Sequence, residues 1–222
     1  MIRVPETLDA ERADRLADAV AACGDPVVVL AGGPDTFCRG MDLAALVAGE
    51  RDLRAGVEAF ARALRAIRVS SRPVIAVVEG AALGGGVGIA AAADVVLATS
   101  HATFGLPEAL FGLVPGVVMP FLLERVPAQK ARLLALTGHA RSAGEALALG
   151  LVDTIVPEDR LEAAVRHATK QLARSAANAV GALKRSVDDA AITRGVDETT
   201  RLLSAPAVGV AVRAFIDGEW PL

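Results

Sequence analysis

The chain has 222 residues, of which 53% are hydrophobic and 22% charged, a composition that is typical of a folded protein and excludes a disordered one. Its formal net charge of −3 excludes a general attraction to nucleic acid. The longest charge-free stretches, residues 80–93 and 109–123, are shorter than the roughly 20 apolar residues that a membrane span needs, so we expect neither a nucleic-acid nor a membrane partner.

The cysteines and the first residues bear on location. Cys23 and Cys38 form no CxxC pair, and the chain has three histidines, so the sequence predicts no metal site. The opening segment, MIRVPETLDAERAD, lacks the apolar run of a signal peptide. We therefore expect a soluble protein in the reducing cytoplasm.

Helical spacing and continuous apolar runs alternate through the first half of the chain. Helices are predicted over residues 7–22, where Thr7 or Asp9 can cap the helix, and over residues 53–67. A strand that is covered on both faces is apolar at every position, and such runs predict strands. These strands are residues 26–30, 73–78 and 95–98, with a short fourth one at 103–104.

The second half of the chain is predicted to be helical. Helices are expected over residues 127–137, 142–149 and 157–175, and Gly138 and Gly150 suit the ends of the first two. The rest, residues 175–222, resembles helices that are broken near Gly195 and Pro206. An α/β core with a C-terminal helical region follows.

Three segments that directly follow the predicted strands carry candidate functional residues. They are Phe37–Leu43 (FCRGMDL), Gly80–Gly86 (GAALGGG) and Phe104–Glu108 (FGLPE). The carboxyl ends of parallel strands meet at one edge of a sheet, which is where open α/β proteins bind ligands.

Glycine and glutamate in these segments suit proton transfer next to a carbonyl group. The run Gly84–Gly86 lets the backbone approach a ligand and opens a helix whose first N–H groups have no partners. The turn at Arg39 and Gly40 can offer a second N–H group, and two converging N–H groups form an oxyanion hole in which one donor contributes about 3 kcal/mol. The carboxylate of Glu108 could then move a proton at carbon.

Three runs resemble, in order, those of the crotonase (enoyl-CoA hydratase/isomerase) superfamily. They are PVIAVVEGAALGGGVGIAAAADVVLA, ATFGLPEALFGLVPG and LTGHARSAGEALALGLVDTIVP, and the likeness extends from about Ala10 to Trp220. The resemblance implies a crotonase-like (ClpP/crotonase) spiral of ββα units, with an α/β core at residues 1–170 and a C-terminal helical trimerisation region at 171–222. It also implies a homotrimer or hexamer.

The resemblance assigns roles to individual residues. The N–H groups of Arg39 and Gly85 would form the oxyanion hole, and Glu108 would be the catalytic acid/base. The thioester substrate would be bound by Cys38, Arg39, Met41, Gly84 and Gly85. That substrate would be an acyl-CoA or an acyl-carrier-protein thioester, with coenzyme A as part of the substrate and no separate cofactor.

The chain departs from the family pattern at three places. Hydratases of the family carry a second glutamate at the position of Gly88, whereas monofunctional isomerases keep only the later acid. Val117-Val118-Met119 replaces a Gly-Gly pair, which predicts a more apolar pocket wall. The opening β-hairpin of the family is largely absent before Pro5, which affects part of the nucleotide-binding edge.

These departures favour double-bond isomerisation by Glu108 alone. The alternatives within the family are hydration, decarboxylation or hydrolysis of an acyl thioester, and a third hypothesis is a non-catalytic acyl-thioester-binding accessory subunit. The glycine run also imitates a dinucleotide fingerprint, but the short-chain dehydrogenases that it would suggest need a catalytic tyrosine, and the chain has none. A serine hydrolase is disfavoured because no GxSxG motif occurs.

Other polar residues have simpler interpretations. Asp42 suits a helix N-cap before Leu43-Ala44-Ala45, and Asp94 suits a structural position between a helix and a strand. His101 is expected to be a packing residue more often than a site residue, and Cys38 has no patterned base that would make it a nucleophile. Apolar residues near the terminus are expected to be buried by assembly. They are Leu202, Leu203, Val208, Val210, Val212 and Phe215.

Overall fold

The computed structural model describes residues 1–42, 52–184 and 189–217. The described strands form two sheets, one of five strands in the order β1-β2-β4-β6-β9 and one of four in the order β3-β5-β7-β8. Their bounds are β1 Ile2–Arg3, β2 Val28–Ala31, β3 Thr36–Cys38, β4 Val74–Val78, β5 Ala81–Leu83, β6 Val95–Ala98, β7 Thr103–Gly105, β8 Arg141–Ser142 and β9 Thr154–Ile155.

Helices alternate with these strands and then dominate the rest of the chain. They are α1 Ala10–Ala22, α2 Leu53–Val69, α3 Gly85–Ala92, α4 Met119–Leu122, α5 Ala128–Thr137, α6 Ala143–Leu149, α7 Leu161–Leu172, α8 Ala177–Lys184, α9 Asp189–Leu203 and α10 Pro206–Ile216. Two 3-10 turns lie at Pro107–Phe111 and Glu158–Arg160.

The chain winds as a spiral of strand-strand-helix units, which confirms the predicted fold class. In each of the pairs β2/β3, β4/β5 and β6/β7, the first strand joins the larger sheet and the second joins the smaller one. All pairings within the larger sheet are parallel, and Ile75 of β4 lies between Val29 of β2 and Val95 of β6. Each turn of the spiral therefore adds one strand to each sheet.

The second strand of each unit is short, and two of these strands were not expected from the sequence. Strands β3 and β5 have three residues each, too few for an apolar run to reveal. Their approach depends on Gly80, because a Cβ atom there would stand 2.1 Å from the carbonyl carbon of Asp35. Only glycine allows the two segments to meet at this distance.

Helix α3 is buried along its whole length beneath the smaller sheet. A Cβ atom on Gly86 would stand 2.0 Å from the carbonyl oxygen of Cys38, so the helix packs directly on the last residue of β3. The amphipathic helix α2 covers the same region with Phe60 and Leu64. The small side chains of the glycines and alanines in α3 thus allow α3 to approach both β3 and α2 closely.

The ends of α5 and α6 agree with the sequence prediction. Gly138 and Gly150 follow these helices in the left-handed conformation, with φ of 62° and 86°. Ser142 and Glu145 form a reciprocal cap at the start of α6. Asp9, rather than Thr7, caps α1 by accepting a hydrogen bond from the N–H of Arg12 at 2.7 Å.

The predicted helix break near Gly195 is wrong, whereas the one near Pro206 is confirmed. Helix α9 runs straight through Gly195, and α10 begins at Pro206. Gly195 serves packing, because a Cβ atom there would stand 2.2 Å from the carbonyl oxygen of Gly116. Tertiary contact therefore overrides the low helix propensity of glycine.

A buried ion pair joins α8 to the larger sheet. The Lys184 ammonium donates to Asp94 Oδ2 at 2.6 Å and to the carbonyl oxygen of Arg72 at 3.1 Å. Burial lowers the pKa of Lys184, and the nearby Asp94 opposes this shift. Asp94 Oδ2 also accepts a hydrogen bond from the N–H of Val74 at 2.7 Å, so the structural interpretation of Asp94 is confirmed.

The apolar C-terminal residues are partly used within the chain. Val208 and Val212 are buried against Phe111 and Leu113, while Val210 is 67% exposed. The side chain of Phe215 lies outside the described residues. The domain boundary at residue 170 stays a prediction, and none of the described helices is long and apolar enough to cross a membrane.

Candidate active site

The candidate residues lie beyond the carboxyl ends of the smaller sheet. Its parallel strands β3, β5 and β7 are neighbours, and they are followed by Arg39–Met41, Gly84–Gly85 and Leu106–Glu108. The sequence predicts that these segments follow the longer strands of the larger sheet. In the structure a short strand, β3, β5 or β7, stands directly before each segment. Adjacent parallel strands thereby bring all three segments to one edge.

Two glycines with positive φ allow the segments to meet. Gly84, at φ +52°, donates its N–H to the carbonyl oxygen of Gly105 at 2.8 Å, and a Cβ atom on it would stand 3.0 Å from Glu108 Oε1. Gly40, at φ +82°, lies so close that a Cβ atom on it would stand 2.5 Å from the nitrogen of Gly85. The Glu108 carboxyl group and the first N–H group of α3 are therefore close neighbours.

A cavity that is open to solvent on one side lies over this junction. Its apolar side chains come from Phe60, Phe111, Leu113, Val114, Val117 and Val118. Glu108, Thr199 and Arg39 are the lining residues with polar side chains. The side of the cavity that holds Glu108, which we call the reactive side, is completed by Met41, Gly84 and Gly85. Such an apolar cavity with few polar groups is typical of a small-molecule site.

The surroundings of Glu108 favour its neutral form. Its Oε2 atom is buried and has no hydrogen-bond partner among the described residues. Burial raises the pKa of Glu108 from 4.5 to about 7, and a hydrogen bond from its own backbone N–H opposes this shift. At neutral pH the group can therefore both accept and donate a proton, which suits an acid/base catalyst.

The N–H group of Gly85 is available at the cavity. It is the first of α3, and no acceptor lies within hydrogen-bond distance of it among residues 1–42, 52–184 and 189–217. Unpaired N–H groups at a helix start attract negative charge. The position of Gly85 thus fits one donor of an oxyanion hole.

The N–H group of Arg39 does not fit the other donor, and this part of the prediction is wrong. It donates to the carbonyl oxygen of Glu6 at 2.7 Å. The parallel bridge between Leu8 and Met41 uses the carbonyl of Gly40 and the N–H of Asp42, so the N–H of Met41 points to the opposite edge. Within the described residues the N–H of Met41 has no acceptor.

Cys38 and His101 lie away from the cavity. The side chain of Cys38 is 0% exposed, and burial raises its pKa to about 12, so it is a thiol that neither attacks nor contacts a ligand. The assignment of Cys38 as a binding residue is therefore wrong. His101 is exposed and pairs with Glu158. The helix that Asp42 was expected to cap lies outside the described residues.

The position of the missing second acid is filled with apolar atoms. A Cβ atom on Gly88 would stand 3.0 Å from Val118 Cγ2 and 3.1 Å from Leu64 Cδ1. Val117 and Val118 line the cavity, as their replacement of glycines predicts, whereas Met119 is not part of the described lining. Among the residues that the structure describes, none brings a carboxylate to the position of Gly88, and little space for one remains there.

Phe60 and Thr199 are among the lining residues that could not be identified from the sequence. Phe60 follows Val57 and precedes Leu64 on one face of α2, a spacing that signals burial but not a site. Thr199 lies on the buried face of α9 with Ile192 and Val196. Nothing local in the sequence indicates that α9 reaches the cavity.

Comparison with known proteins places the chain in a family. The sequence model of the enoyl-CoA hydratase/isomerase family matches residues 3–202. The carnitinyl-CoA dehydratase of Proteus mirabilis (strain HI4320) is 36% identical over 175 residues, which cover 76% of this chain. The match spans 66% of that relative's length, just under two thirds of it.

Solved structures share the fold over almost the whole chain. An enoyl-CoA hydratase from Mycobacterium avium subsp. paratuberculosis K-10 has a TM-score of 0.83 and 31% identity, over 97% of this chain and 89% of that one. A carnitinyl-CoA hydratase from Mycobacterium avium has a TM-score of 0.77 and 29% identity, over 100% of this chain and 92% of that one. The chain therefore belongs to the enoyl-CoA hydratase/isomerase, or crotonase, family.

Proposed function

We propose that the chain is an acyl-CoA-thioester enzyme in which Glu108 is the single acid/base. The observation that carries the proposal is the buried carboxyl group of Glu108, whose pKa is raised to about 7, beside the unpaired N–H group of Gly85 in one apolar cavity. Membership of the enoyl-CoA hydratase/isomerase family supports a thioester as the substrate. Coenzyme A or a carrier protein would hold the acyl group.

The N–H groups of Gly85 and Met41 would hold the thioester oxygen. As a proton leaves the carbon next to the thioester, negative charge develops on that oxygen, and donors fixed in advance stabilise it. Met41 replaces Arg39 in this role, because the N–H of Arg39 is already bound to Glu6. Gly40 brings the Met41 segment against the start of α3.

Glu108 would move one proton between two carbons of the substrate. In a 3-enoyl thioester, the carboxylate takes a proton from C2, and the electron pair of that C–H bond forms the C2–C3 double bond. The former C3–C4 double bond then accepts the proton at C4, which gives the 2-enoyl thioester and restores the carboxylate. A pKa of about 7 suits a group that must both remove and return the proton.

Gly88 favours this isomerisation over the addition of water. Two groups usually activate and protonate water, and the second position here is crowded by Val118 and Leu64. A hydratase or dehydratase is the second candidate, because the similar proteins are named carnitinyl-CoA dehydratase and carnitinyl-CoA hydratase. In dehydration, Glu108 alone would take the C2 proton and protonate the leaving hydroxyl group.

Product analysis on a panel of thioesters tests the proposal. The purified protein is incubated with 3-enoyl-CoA, 2-enoyl-CoA and carnitinyl-CoA, and products are identified by mass spectrometry and NMR. We expect conversion of 3-enoyl-CoA to 2-enoyl-CoA without 3-hydroxyacyl-CoA. Efficient formation of 3-hydroxyacyl-CoA, or of a dehydrated product from carnitinyl-CoA, would instead favour the second candidate.

The variant Glu108→Gln tests the role of the carboxyl group. It should bind acyl-CoA but lose at least about a hundredfold in turnover, the low end of general acid–base contributions. Glu162→Gln, which changes an exposed glutamate on α7, is the matched control and should keep full activity. Full activity of Glu108→Gln would exclude Glu108 as the base, and binding without turnover in the wild type would favour the accessory-subunit alternative.

A further inference from the structure

A threonine on helix α9, in the C-terminal helical region, brings a polar residue to the apolar side of the cavity. The buried positions of α9 are Ile192, Gly195, Val196 and Thr199, which recur at helical spacing and face the protein interior. Thr199 is 6% exposed and is the only polar side chain among these four. It also lines the cavity that contains Glu108.

The Thr199 hydroxyl differs from its neighbours because it has no partner among the described residues. Thr193 and Thr200 donate to the carbonyl oxygens four residues earlier, at 3.0 and 2.8 Å, and Ser204 does the same at 2.9 Å. Helical hydroxyls usually satisfy themselves in this way. Burial without such a bond is costly, so the free hydroxyl of Thr199 requires an explanation.

The hydroxyl lies where α9 meets the apolar wall of the cavity. A Cβ atom on Gly116 would stand 2.8 Å from both Thr199 Oγ1 and the carbonyl oxygen of Gly195, so the hydroxyl lies close to the Gly116 backbone where α9 crosses it. Val117 and Val118, which follow Gly116, line the same cavity and offer no polar atom from their side chains. An acyl chain that enters this part of the cavity meets apolar side chains and the residue Thr199.

We infer that Thr199 selects acyl thioesters whose acyl chain carries an oxygen substituent, a carbonyl or hydroxyl oxygen that accepts a hydrogen bond from Thr199 Oγ1. The inference rests on the proposed function, because it concerns the acyl group of the same thioester. A plain alkyl chain would leave the hydroxyl unsatisfied, whereas an oxygenated chain would pair with it. Sites built around a hydrogen bond discriminate strongly against analogues that lack the partner.

Equilibrium binding tests this inference independently of catalysis. Hexanoyl-CoA and its 4-oxo, 5-oxo and 6-hydroxy derivatives are titrated by calorimetry against the wild type, Thr199→Val and Thr199→Ser. Valine has the shape of threonine without the hydroxyl, and serine retains the hydroxyl. Thr200→Val, which removes a hydroxyl that is bonded within α9, is the matched control.

We expect Thr199→Val to weaken binding of at least one oxygenated derivative by about tenfold, as for the loss of one hydrogen bond, while hexanoyl-CoA binds as well as before or better. Thr199→Ser should keep the preference of the wild type for the oxygenated derivative over hexanoyl-CoA, and Thr200→Val should not change that preference. Equal effects on all four thioesters, or none, would show that the hydroxyl holds only water and would overturn the inference.

Two further measurements separate the possible failures. The unfolding midpoint of Thr199→Val in urea should equal or exceed that of the wild type, because no protein partner is lost; a clear decrease would reveal a partner within the fold and overturn the inference. Turnover of 3-hexenoyl-CoA by Glu108→Gln is measured alongside. Full activity there would refute the proposed function, while the binding difference at Thr199 would still stand.

Discussion

The carboxyl group of Glu108 is held in surroundings that solvate its charge poorly. Its Oε2 atom is buried without a partner among the described residues, and its pKa is raised from 4.5 to about 7. Between these two pH values the folded protein binds more protons than the unfolded chain, so this residue makes stability fall as pH rises. The raised pKa of Glu108 therefore costs stability above neutral pH.

This cost gives a prediction for Glu108→Gln. Relative to the wild type, the variant should gain stability as pH rises from about 4.5 to 8, by up to about 3 kcal/mol at roughly 1.4 kcal/mol per pKa unit. The measurement is the free energy of unfolding in urea at several pH values. Parallel curves for the two proteins would show that Glu108 titrates normally in the fold.

The crowding at Gly88 predicts that a second acid cannot simply be added. Gly88→Glu should destabilise the protein by about 2 kcal/mol or more, as overpacking does, because its side chain would meet Val118 and Leu64. Val118→Ala should relieve part of this loss in a double-mutant cycle. Gly144→Glu, on the exposed side of α6 with no atom near its Cβ position, is the control and should be close to neutral.

Should Gly88→Glu fold with unchanged stability, the packing around this position would be looser than the structure indicates. The urea denaturation midpoints of the single and double variants decide this. Gain of hydratase activity in Gly88→Glu would in addition show that the side chain reaches the substrate.

At the scale of elements, the crossing of α9 over the Gly116–Val117 segment depends on two glycines, Gly116 and Gly195. Gly195→Ala should destabilise the protein by about 2 kcal/mol or more, although alanine is the better helix former, because the Cβ atom would stand 2.2 Å from the Gly116 carbonyl oxygen. Gly209→Ala in α10, with nothing within 4 Å, should stabilise by about 0.5–1 kcal/mol. Thermal or urea unfolding of both variants measures the difference, and a gain in both would contradict the crossing.

Elements with a strong local pattern could be predicted from the sequence. The apolar runs at 73–78 and 95–98 are strands, and Gly138 and Gly150 end their helices, because burial on both faces and the left-handed conformation leave clear local marks. Strand β5 could not be predicted, since its pairing between β3 and β7 depends on distant segments. Nor could the unbroken α9, because its glycine is kept for contact with Gly116.

The candidate site likewise contains residues that a local sequence pattern reveals and others that depend on contacts between distant segments. Gly85 could be located because it lies in the run Gly84–Gly86, and Glu108 because it directly follows Pro107. The N–H group of Met41 could not be distinguished from that of Arg39, because the choice is made by the bridge to Leu8 and by the carbonyl of Glu6. The reactive side is therefore encoded locally, whereas its second donor is set by tertiary pairing.

At the scale of the whole molecule, we predict a homotrimer or a hexamer. Large apolar side chains stay exposed on the described helices, among them Leu183 at 80%, Val210 at 67% and Leu136 at 65%. Closed symmetric assembly would bury such surface. Light scattering at micromolar concentration should give three or six times the chain mass of 22.7 kDa, and a stable single-chain mass would contradict the prediction.

The two sides of the cavity are built by different parts of the chain, and they differ in the substitutions that they tolerate. Around Gly40, Gly84 and Gly86, any added side chain meets backbone atoms or Glu108, so we expect a substitution at any of these glycines to destabilise the protein. The opposite side is formed by the side chains of Val117 and Val118 and by Thr199 of α9, outside both sheets. Under the proposed function, side chains on the helical side can therefore be exchanged, and the bound acyl group can change with them, while Glu108 and the glycines around it stay the same.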